Sequence, residues 1–271
     1  MQNRIDSPFL SDIARFDRPE ILGRAFHPRP EVPSQTTETD WDDVLIAVDE
    51  HVEIGARFYH ADFQAPTMLF FHGNGEIVAD YDERAREHTA LGINFLPVDY
   101  RGYGRSSGEP SFTAMMSDCH RILAYIRAYL AERGYTGSLV VMGRSLGSAP
   151  ALELAARHQD MVDGLILDSA FALLVPLLRV LGIDPEQFDL SEKNGMWNLK
   201  NIRTFHKPVL IIHAEYDHLI PFYEAYTLLD ASPSHDKRLF RVSGADHNTI
   251  FLYGGERYLV TVKQFMEGLR L

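Results

Sequence analysis

From Pro66 onward, short apolar runs alternate with longer helix-like segments, and this alternation restricts the fold more than any other feature of the chain. The runs read TMLFFH, INFLPVDY, SLVVMG, GLILDS, PVLIIHA and RLFRVS. Such a pattern is typical of repeated strand–helix units, whose strands pair in parallel and lie under helices on both faces. The chain therefore predicts an α/β fold with a mainly parallel sheet.

Two earlier apolar runs, VLIAVDE and VEIGARFYH, lie on either side of a turn near residues 49–51. They predict two antiparallel strands that begin the sheet, which brings the expected total to about eight strands. Flanking helices are predicted at Tyr81–Leu91, Thr113–Arg133, Leu146–His158, Tyr223–Leu229 and Tyr258–Leu269. Residues 170–206 are too long for a plain crossover and predict a small helical cap over the sheet.

The chain has 271 residues, of which 45% are hydrophobic, so it is long enough for one large domain. We expect that domain at residues 43–271. Residues 1–42 are rich in proline and acid and predict an N-terminal arm that packs on the body, with a weak helix around Phe9–Phe16. The cap insertion falls at about 170–206.

Charge and cysteine content exclude several classes of partner. The formal net charge of −12 disfavours binding to nucleic acid or to anionic membranes, because the long-range field repels both. Cys119 is the only cysteine, which excludes an intrachain disulfide and agrees with a reducing compartment. Neither a secretory h-region nor about 20 continuous apolar residues are present, so we expect a cytoplasmic protein without an integral membrane segment.

The stretch Gly143-Arg144-Ser145-Leu146-Gly147 follows a strand and precedes a helix. In that context a G-x-S-x-G pattern places the serine on a sharp turn with its hydroxyl exposed, whereas elsewhere the serine could simply cap the helix. A serine hydroxyl is a weak nucleophile that needs a base, itself oriented by a carboxylate. We therefore expect an acid and a histidine at the ends of later strands.

Asp217 follows the run PVLIIHA, and His247 follows RLFRVS in a glycine-containing loop. A loop after a strand can aim its carboxylate at a histidine in the next loop, which favours Asp217 as the acid and His247 as the base. Glu215 and Asp168 remain alternative acids. Asp246, beside the histidine, is expected to make local loop bonds.

Other histidines are weaker candidates. His213 and His218 flank the acid and could shape the site, whereas His158, His206 and His235 resemble surface residues.

Acyl transfer also needs donors for the oxyanion that develops on the substrate carbonyl. The backbone N–H of Leu146 is the first candidate, because it follows the serine at a helix N-terminus. The second is Asn74 in the loop His72-Gly73-Asn74-Gly75, although this loop could equally be an ordinary glycine-rich turn.

In the cap, leucines recur at helical spacing over Phe171–Gly182. They form either a core-facing stripe or an apolar wall for an acyl chain, and we assign Leu173, Leu174 and Leu177 to substrate binding on the second interpretation.

Six segments together resemble the α/β-hydrolase superfamily, and within it the serine hydrolases grouped with the α/β-hydrolase-domain depalmitoylases. They are FFHGNGE, VDYRGYGRSSGEPS, GRSLGSAP, LILDSAF, PVLIIHAEYDHLIP and GADHN, and the resemblance covers roughly residues 44–268. It implies an eight-stranded sheet flanked by helices, with the following site: nucleophile Ser145, acid Asp217, base His247, and oxyanion donors Asn74 and Leu146.

The resemblance also implies scaffold roles for Arg101 and Arg105 and a supporting role for Asp168 near the site. It implies no metal or organic cofactor, and the pair His60 and Asp62 is too sparse for a metal site. The loop GADHN lacks the second glycine that related sequences often have. A serine at position 145 argues against dehalogenase and epoxide hydrolase chemistry, which need an acid there.

The sequence thus predicts a serine hydrolase that cleaves carboxylic esters or thioesters through an acyl-enzyme intermediate. The small cap and the absence of a basic pocket favour a small-molecule substrate with a short or medium acyl group. A peptidase or amidase of the same fold is the alternative, and a non-catalytic binding module is a third hypothesis.

Overall fold

The chain folds around one eight-stranded sheet, in the computed structural model that describes residues 12–32, 40–192 and 197–269. In chain order the strands are β1 Asp42–Asp49, β2 Val52–Phe58, β3 Thr67–Phe71, β4 Asn94–Val98, β5 Leu139–Arg144, β6 Gly164–Asp168, β7 Val209–Ala214 and β8 Lys237–Val242. Their order in the sheet is β1-β2-β4-β3-β5-β6-β7-β8. β1, β2 and β4 pair antiparallel, and every later pairing is parallel. The predicted fold class is confirmed.

Helices cover both faces of this sheet. They are α1 Pro19–Ala25, α2 Asp82–Ala90, α3 Phe112–Glu132, α4 Ser148–Arg157, α5 Leu174–Val180, α6 Asn198–Ile202, α7 Tyr223–Ala231 and α8 Ile250–Gly268. Side chains of β3 show the resulting layers, since Leu69 and Phe71 join one buried cluster while Met68 and Phe70 join the other. Strands buried on both faces read as continuous apolar runs, which is why the sequence revealed them.

Two helices differ from the sequence prediction. α8 begins at Ile250 rather than at Tyr258, because the chain remains helical on both sides of a kink at Gly255, whose φ is 48°. The helix predicted around Phe9–Phe16 falls partly on residues 1–11, which lie outside the described part of the chain; its remainder ends in a short 3-10 turn at Ala14–Phe16. α1 was not predicted.

The segment 12–32, called the strap below, packs on the body of the domain. Its apolar side chains Ile13, Phe16, Ile21 and Phe26 belong to the same buried cluster as the sheet. Asp17 accepts the N–H of Phe112 at 2.8 Å and so caps α3. The division of the chain at residue 42 remains a prediction, as does the extent of the cap, in which residues 193–196 are not described.

Candidate active site

Ser145 lies on a tight turn between β5 and α4. Its φ is 51°, in the left-handed region that residues with a Cβ rarely adopt. The flanking glycines permit this turn: a Cβ on Gly143 would lie 2.2 Å from the carbonyl oxygen of Gly147, and one on Gly147 would lie 2.1 Å from that of Phe71. The backbone approaches itself so closely that only glycine fits at either position, and the serine side chain is directed out of the turn.

Three side chains from three different loops form a hydrogen-bonded chain. His247 Nε2 lies 3.0 Å from Ser145 Oγ, and His247 Nδ1 lies 2.7 Å from Asp217 Oδ2. Because a carboxylate oxygen accepts, the proton belongs on Nδ1, and Nε2 is left to accept the serine hydroxyl. His247 and Asp217 are both shielded from water: His247 is 8% exposed, and the Asp217 carboxylate is fully buried.

The acid is fixed by its own loop. Asp217 Oδ1 accepts the backbone N–H groups of Leu219 at 3.0 Å and Ile220 at 2.8 Å, which leaves Oδ2 for the histidine. His213 braces the same loop, because its Nε2 lies 2.8 Å from the carbonyl oxygen of Ile220. Burial lowers the pKa of His213, so this ring remains neutral beside Asp217. His213 therefore shapes the site without contacting the serine.

Neither alternative acid contacts His247. Glu215 is bound to Arg241 and accepts the N–H of Gly244 at 3.0 Å. Asp168 is fully buried and accepts the hydroxyl of Tyr258 at 2.7 Å. Asp246 accepts hydrogen bonds from Asn248 and Thr249, in the local pattern that its sequence predicts.

The loop at residues 72–75 faces Ser145 across a cavity of about 170 Å³. Asn74 and Leu146 both line this cavity, but the Asn74 side chain is already engaged: Oδ1 accepts from Tyr103 OH at 2.7 Å, and Nδ2 donates to His27 Nδ1 at 2.8 Å. The N–H of Gly73 is bound to Glu76 at 2.6 Å. Asn74 can therefore serve the cavity through its backbone N–H rather than its amide side chain.

Of the three leucines that the sequence assigns to substrate binding, only Leu177 lines the cavity beside Ser145. Leu177 lines the cavity, and so does Leu181 one turn further along the cap. The assignment of Leu174 was wrong, because its side chain is 4% exposed within the main core. Leu173, the residue before the helix, lines neighbouring depressions instead. Ala25, Leu219 and Ile220 complete the apolar lining.

A buried charged network under the site was missed by the sequence interpretation. Arg144, 3% exposed, donates to Glu76 Oε1 at 3.0 Å, to Asp168 Oδ1 at 3.4 Å and to the carbonyl oxygen of His247 at 2.9 Å. Burial alone would raise the pKa of Glu76, but the neighbouring guanidinium holds that pKa below its ordinary value. The sequence feature that could have revealed this network is Arg144 itself, a charged residue in the motif Gly143–Gly147 whose other residues are apolar or small.

The remaining candidates lie away from the serine. Arg101 pairs with Asp118 at 2.7 Å, and Arg105 pairs with Asp43 at 2.7 Å, both as parts of the scaffold. His158 is half-buried rather than on the surface and lies 2.7 Å from His120 Nδ1.

His60 lies 2.9 Å from Tyr135 OH, and Asp62 accepts the N–H of Gln64. His206 and His235 are exposed, as expected, and so is His218. Within residues 12–32, 40–192 and 197–269, no group of three or more His, Cys, Asp or Glu side chains is arranged to hold a metal ion. None of the helices in the described part of the chain combines the length and apolarity that crossing a bilayer requires.

Residues 64–183, which contain Ser145 but neither Asp217 nor His247, match the family described as serine aminopeptidase, S33. The chain is 32% identical over 211 residues to human alpha/beta hydrolase domain-containing protein 17B, covering 74% of this chain and 66% of that protein. It is 28% identical over 207 residues to protein bem46 of Schizosaccharomyces pombe, covering 74% and 67%. The chain thus spans about two thirds of the length of these relatives.

Among solved structures, an esterase of Pyrococcus furiosus superposes with a TM-score of 0.71 at 18% identity, covering 89% of this chain and 98% of that chain. At that identity the likeness concerns the fold.

Proposed function

The chain belongs to the α/β-hydrolase superfamily and to its group of α/β-hydrolase-domain proteins, and from this premise we propose that it is a serine hydrolase acting on carboxylic esters or thioesters. The observation that carries the proposal is the continuous hydrogen-bonded chain from Ser145 through His247 to Asp217. Geometry of this kind, with the nucleophile and its base in hydrogen-bond contact, is what activates a hydroxyl.

In the proposed reaction His247 Nε2 takes the proton of Ser145 as Oγ attacks the substrate carbonyl carbon. Negative charge develops on the carbonyl oxygen, where the backbone N–H groups of Leu146 and Asn74 would meet it. His247 then gives the proton to the leaving alcohol or thiol, and an acyl-enzyme remains. The same imidazole then takes a proton from water as the water oxygen attacks the acyl carbon. The bond between that carbon and Oγ breaks, the imidazolium returns its proton to Oγ, and the carboxylic acid leaves.

The cavity supports an uncharged acyl group as the part of the substrate that lies beside the serine. Leu177, Leu181, Leu219 and Ile220 give it apolar walls, and its volume of about 170 Å³ suits a short or medium chain. Glu76 also lines the cavity, but Arg144 and the Gly73 N–H already neutralise and bind its two oxygens.

A peptidase or amidase is the second candidate, because the matching family is described as a serine aminopeptidase. An aminopeptidase in particular needs a carboxylate that is free to bind the substrate's amino terminus. Glu76 is the acid among the cavity's lining residues, and its bonds to Arg144 and Gly73 make it a poor partner for an ammonium group. This favours the ester substrate.

Hydrolysis of p-nitrophenyl esters of increasing acyl length tests the proposal, with Ser145→Ala as the matched control and aminoacyl p-nitroanilides as competing substrates. We expect turnover of short and medium esters that the Ser145→Ala variant lacks almost entirely, with an unchanged melting temperature. Retention of most ester activity by Ser145→Ala would contradict the nucleophile assignment. Faster cleavage of anilides than of esters would establish the peptidase.

A further inference from the structure

The strap reaches the loop that faces Ser145. After α1 its backbone runs beside the loop that follows β4: the Gly104 N–H donates to the Arg29 carbonyl at 2.9 Å, and the Glu31 N–H donates to the Gly104 carbonyl at 3.1 Å. On its other side, Arg24 donates to the carbonyl oxygen of Gly182 in the cap. The strap therefore lies between the cap and the loop at residues 72–75, and Ala25 lines the cavity itself.

The Asn74 side chain is the point where the strap and the β4 loop meet. The backbone N–H of His27 donates to Asn74 Oδ1 at 2.9 Å and to Tyr103 OH at 2.8 Å, and Tyr103 OH donates to the same Oδ1 at 2.7 Å. Asn74 Nδ2 donates to the His27 ring at 2.8 Å. Both ends of the amide are thus held by groups outside its own loop.

The neighbours of Asn74 are held in the same way. Arg29 Nε donates to the carbonyl oxygen of Gly75 at 2.8 Å. Tyr100, from the β4 loop, donates its hydroxyl to the carbonyl oxygen of His72 at 2.6 Å. These two carbonyls lie one peptide unit beyond those that flank Asn74, so the strap and the two tyrosines hold the loop on both sides of the unit that carries the Asn74 N–H. The carbonyl of that unit, Gly73 O, accepts the Glu76 N–H at 3.3 Å within the loop.

We propose that the strap and Tyr103 position the Asn74 backbone N–H for the oxyanion, so that His27, Arg29 and Tyr103 are positioning residues of the hydrolytic site. This inference rests on the proposed function. A donor contributes only when it is aimed at the place where charge develops, and a misplacement of about 1 Å can cost two orders of magnitude in rate. Holding the loop through a side chain leaves the backbone amide free to face the substrate.

The strap lies outside the part of the chain that matches the serine aminopeptidase family, which begins at residue 64. Tyr103 belongs to the segment VDYRGYGRSSGEPS, and the contact with Asn74 gives a function to a motif that the reaction itself does not use.

Steady-state hydrolysis of p-nitrophenyl butyrate and inhibition by butylboronic acid test the proposal on Tyr103→Phe, His27→Ala and Asn74→Ala. Boron bonds to Ser145 Oγ, the serine proton passes to His247, and an oxygen of the tetrahedral adduct occupies the oxyanion position. Losing a whole oxyanion donor costs about 10²–10³-fold in kcat, so loosening one should cost about tenfold. We expect kcat to fall about tenfold and KM to stay within about twofold of the native value. The boronate Ki should rise by the same factor as kcat falls.

Tyr135→Phe is the matched control, because Tyr135 OH also lies within hydrogen-bond distance of a histidine, His60 at 2.9 Å, and neither residue lines the cavity. It should leave kcat, KM and Ki unchanged. His27 is exposed and Asn74 half-buried, so these variants should fold even if Tyr103→Phe does not.

If all three variants keep the native kcat and the native boronate affinity while Ser145→Ala is inactive, the positioning role is wrong and the proposed hydrolase function is unaffected. A native chain that neither cleaves esters nor binds the boronate would overturn both.

Discussion

Arg144 directly precedes Ser145, the proposed nucleophile, and its buried side chain connects three segments of the site. Its own backbone leads into the Ser145 turn, its Nε donates to Glu76 beside the loop at residues 72–75, and its Nη2 donates to the carbonyl oxygen of His247. A guanidinium can make these bonds at once because its donors form a rigid planar fork, which a lysine lacks. One buried residue thus ties together the Ser145 turn, the loop that carries His247 and Glu76 beside the loop at residues 72–75.

Replacing Arg144 by methionine should destabilise the protein by about 3–5 kcal/mol, because the fully buried Asp168 and the half-buried Glu76 would both lose their cation. Urea denaturation of the native protein and the variant measures this difference. The variant Arg86→Met is the control, since Arg86 pairs with Asp40 where both side chains are exposed. Equal losses in the two variants would contradict the importance of the buried network.

If Asp217 is the proposed acid, replacing it by asparagine should lower kcat by about 10⁴-fold with little change in KM, which is the loss seen when the carboxylate of a Ser-His-Asp triad is neutralised. The amide would donate to His247 Nδ1 and force the proton onto Nε2, so the imidazole could no longer accept the serine proton. Ester kinetics provide the measurement, and Glu215→Gln is the control because that acid bonds Arg241 and the Gly244 N–H rather than the His247 ring. A kcat loss below about tenfold in Asp217→Asn would count against the assignment.

At the scale of secondary structure, the sheet was the most predictable part of the molecule. All eight strands coincide with runs that the sequence singled out. Strands β3 to β7 are buried along their whole length and therefore read as continuous apolar runs, whereas the edge strand β1 alternates exposed and buried residues. α1 was missed because its short sequence, PEILGRA, lies in a region whose prolines and acids indicate an extended chain. The early start of α8 was missed because Gly254 and Gly255 discourage a helix by propensity.

Ser145, His247 and Asp217 were predictable because each follows a recognisable strand, and the ends of parallel strands meet at one edge of a sheet. The Arg144 network and the strap contacts depend instead on long side chains that meet from distant parts of the chain. No local pattern encodes which carboxylate an arginine will reach. The same reason explains Leu174, since helical spacing indicates a stripe but not which of its leucines faces the cavity.

In helix α2, His88 is buried against Phe95, with ring centroids 5.0 Å apart, and its Nδ1 has no hydrogen-bond partner. Burial lowers its pKa from 6.5 to about 4. Between these values the unfolded chain binds the proton more readily than the folded one, so the free energy of unfolding falls as the pH falls through this window. From this group alone the loss should approach about 3 kcal/mol at pH 4.

The variant His88→Leu should therefore lose less stability than the native protein between pH 7 and pH 4.5, as measured by urea denaturation at each pH. His235→Gln, which removes an exposed histidine, is the control and should follow the native curve. Parallel curves for His88→Leu and the native protein would show that burial of this ring does not contribute to acid lability.

Over the whole molecule, the net charge of −12 creates a field that repels anions at low ionic strength. We expect kcat/KM for an anionic ester, p-nitrophenyl hemisuccinate, to rise several-fold between 10 and 150 mM NaCl, because the Debye length shrinks from about 30 to about 8 Å. The neutral p-nitrophenyl butyrate should show almost no change over the same range. If both esters respond equally, salt acts on the protein itself and not on the electrostatic repulsion between the protein and the anionic ester.

The strap also has a consequence for biosynthesis. Residues 12–32 leave the ribosome before the segments that they bind, since Asp17 caps a helix that starts at Phe112 and Arg24 binds Gly182. At about 5–20 residues per second, roughly ten to thirty seconds separate the synthesis of Arg24 from that of its partner in the cap. During that interval the apolar side chains of the strap have no sheet to cover, so the nascent chain offers a chaperone a binding segment that the finished enzyme conceals.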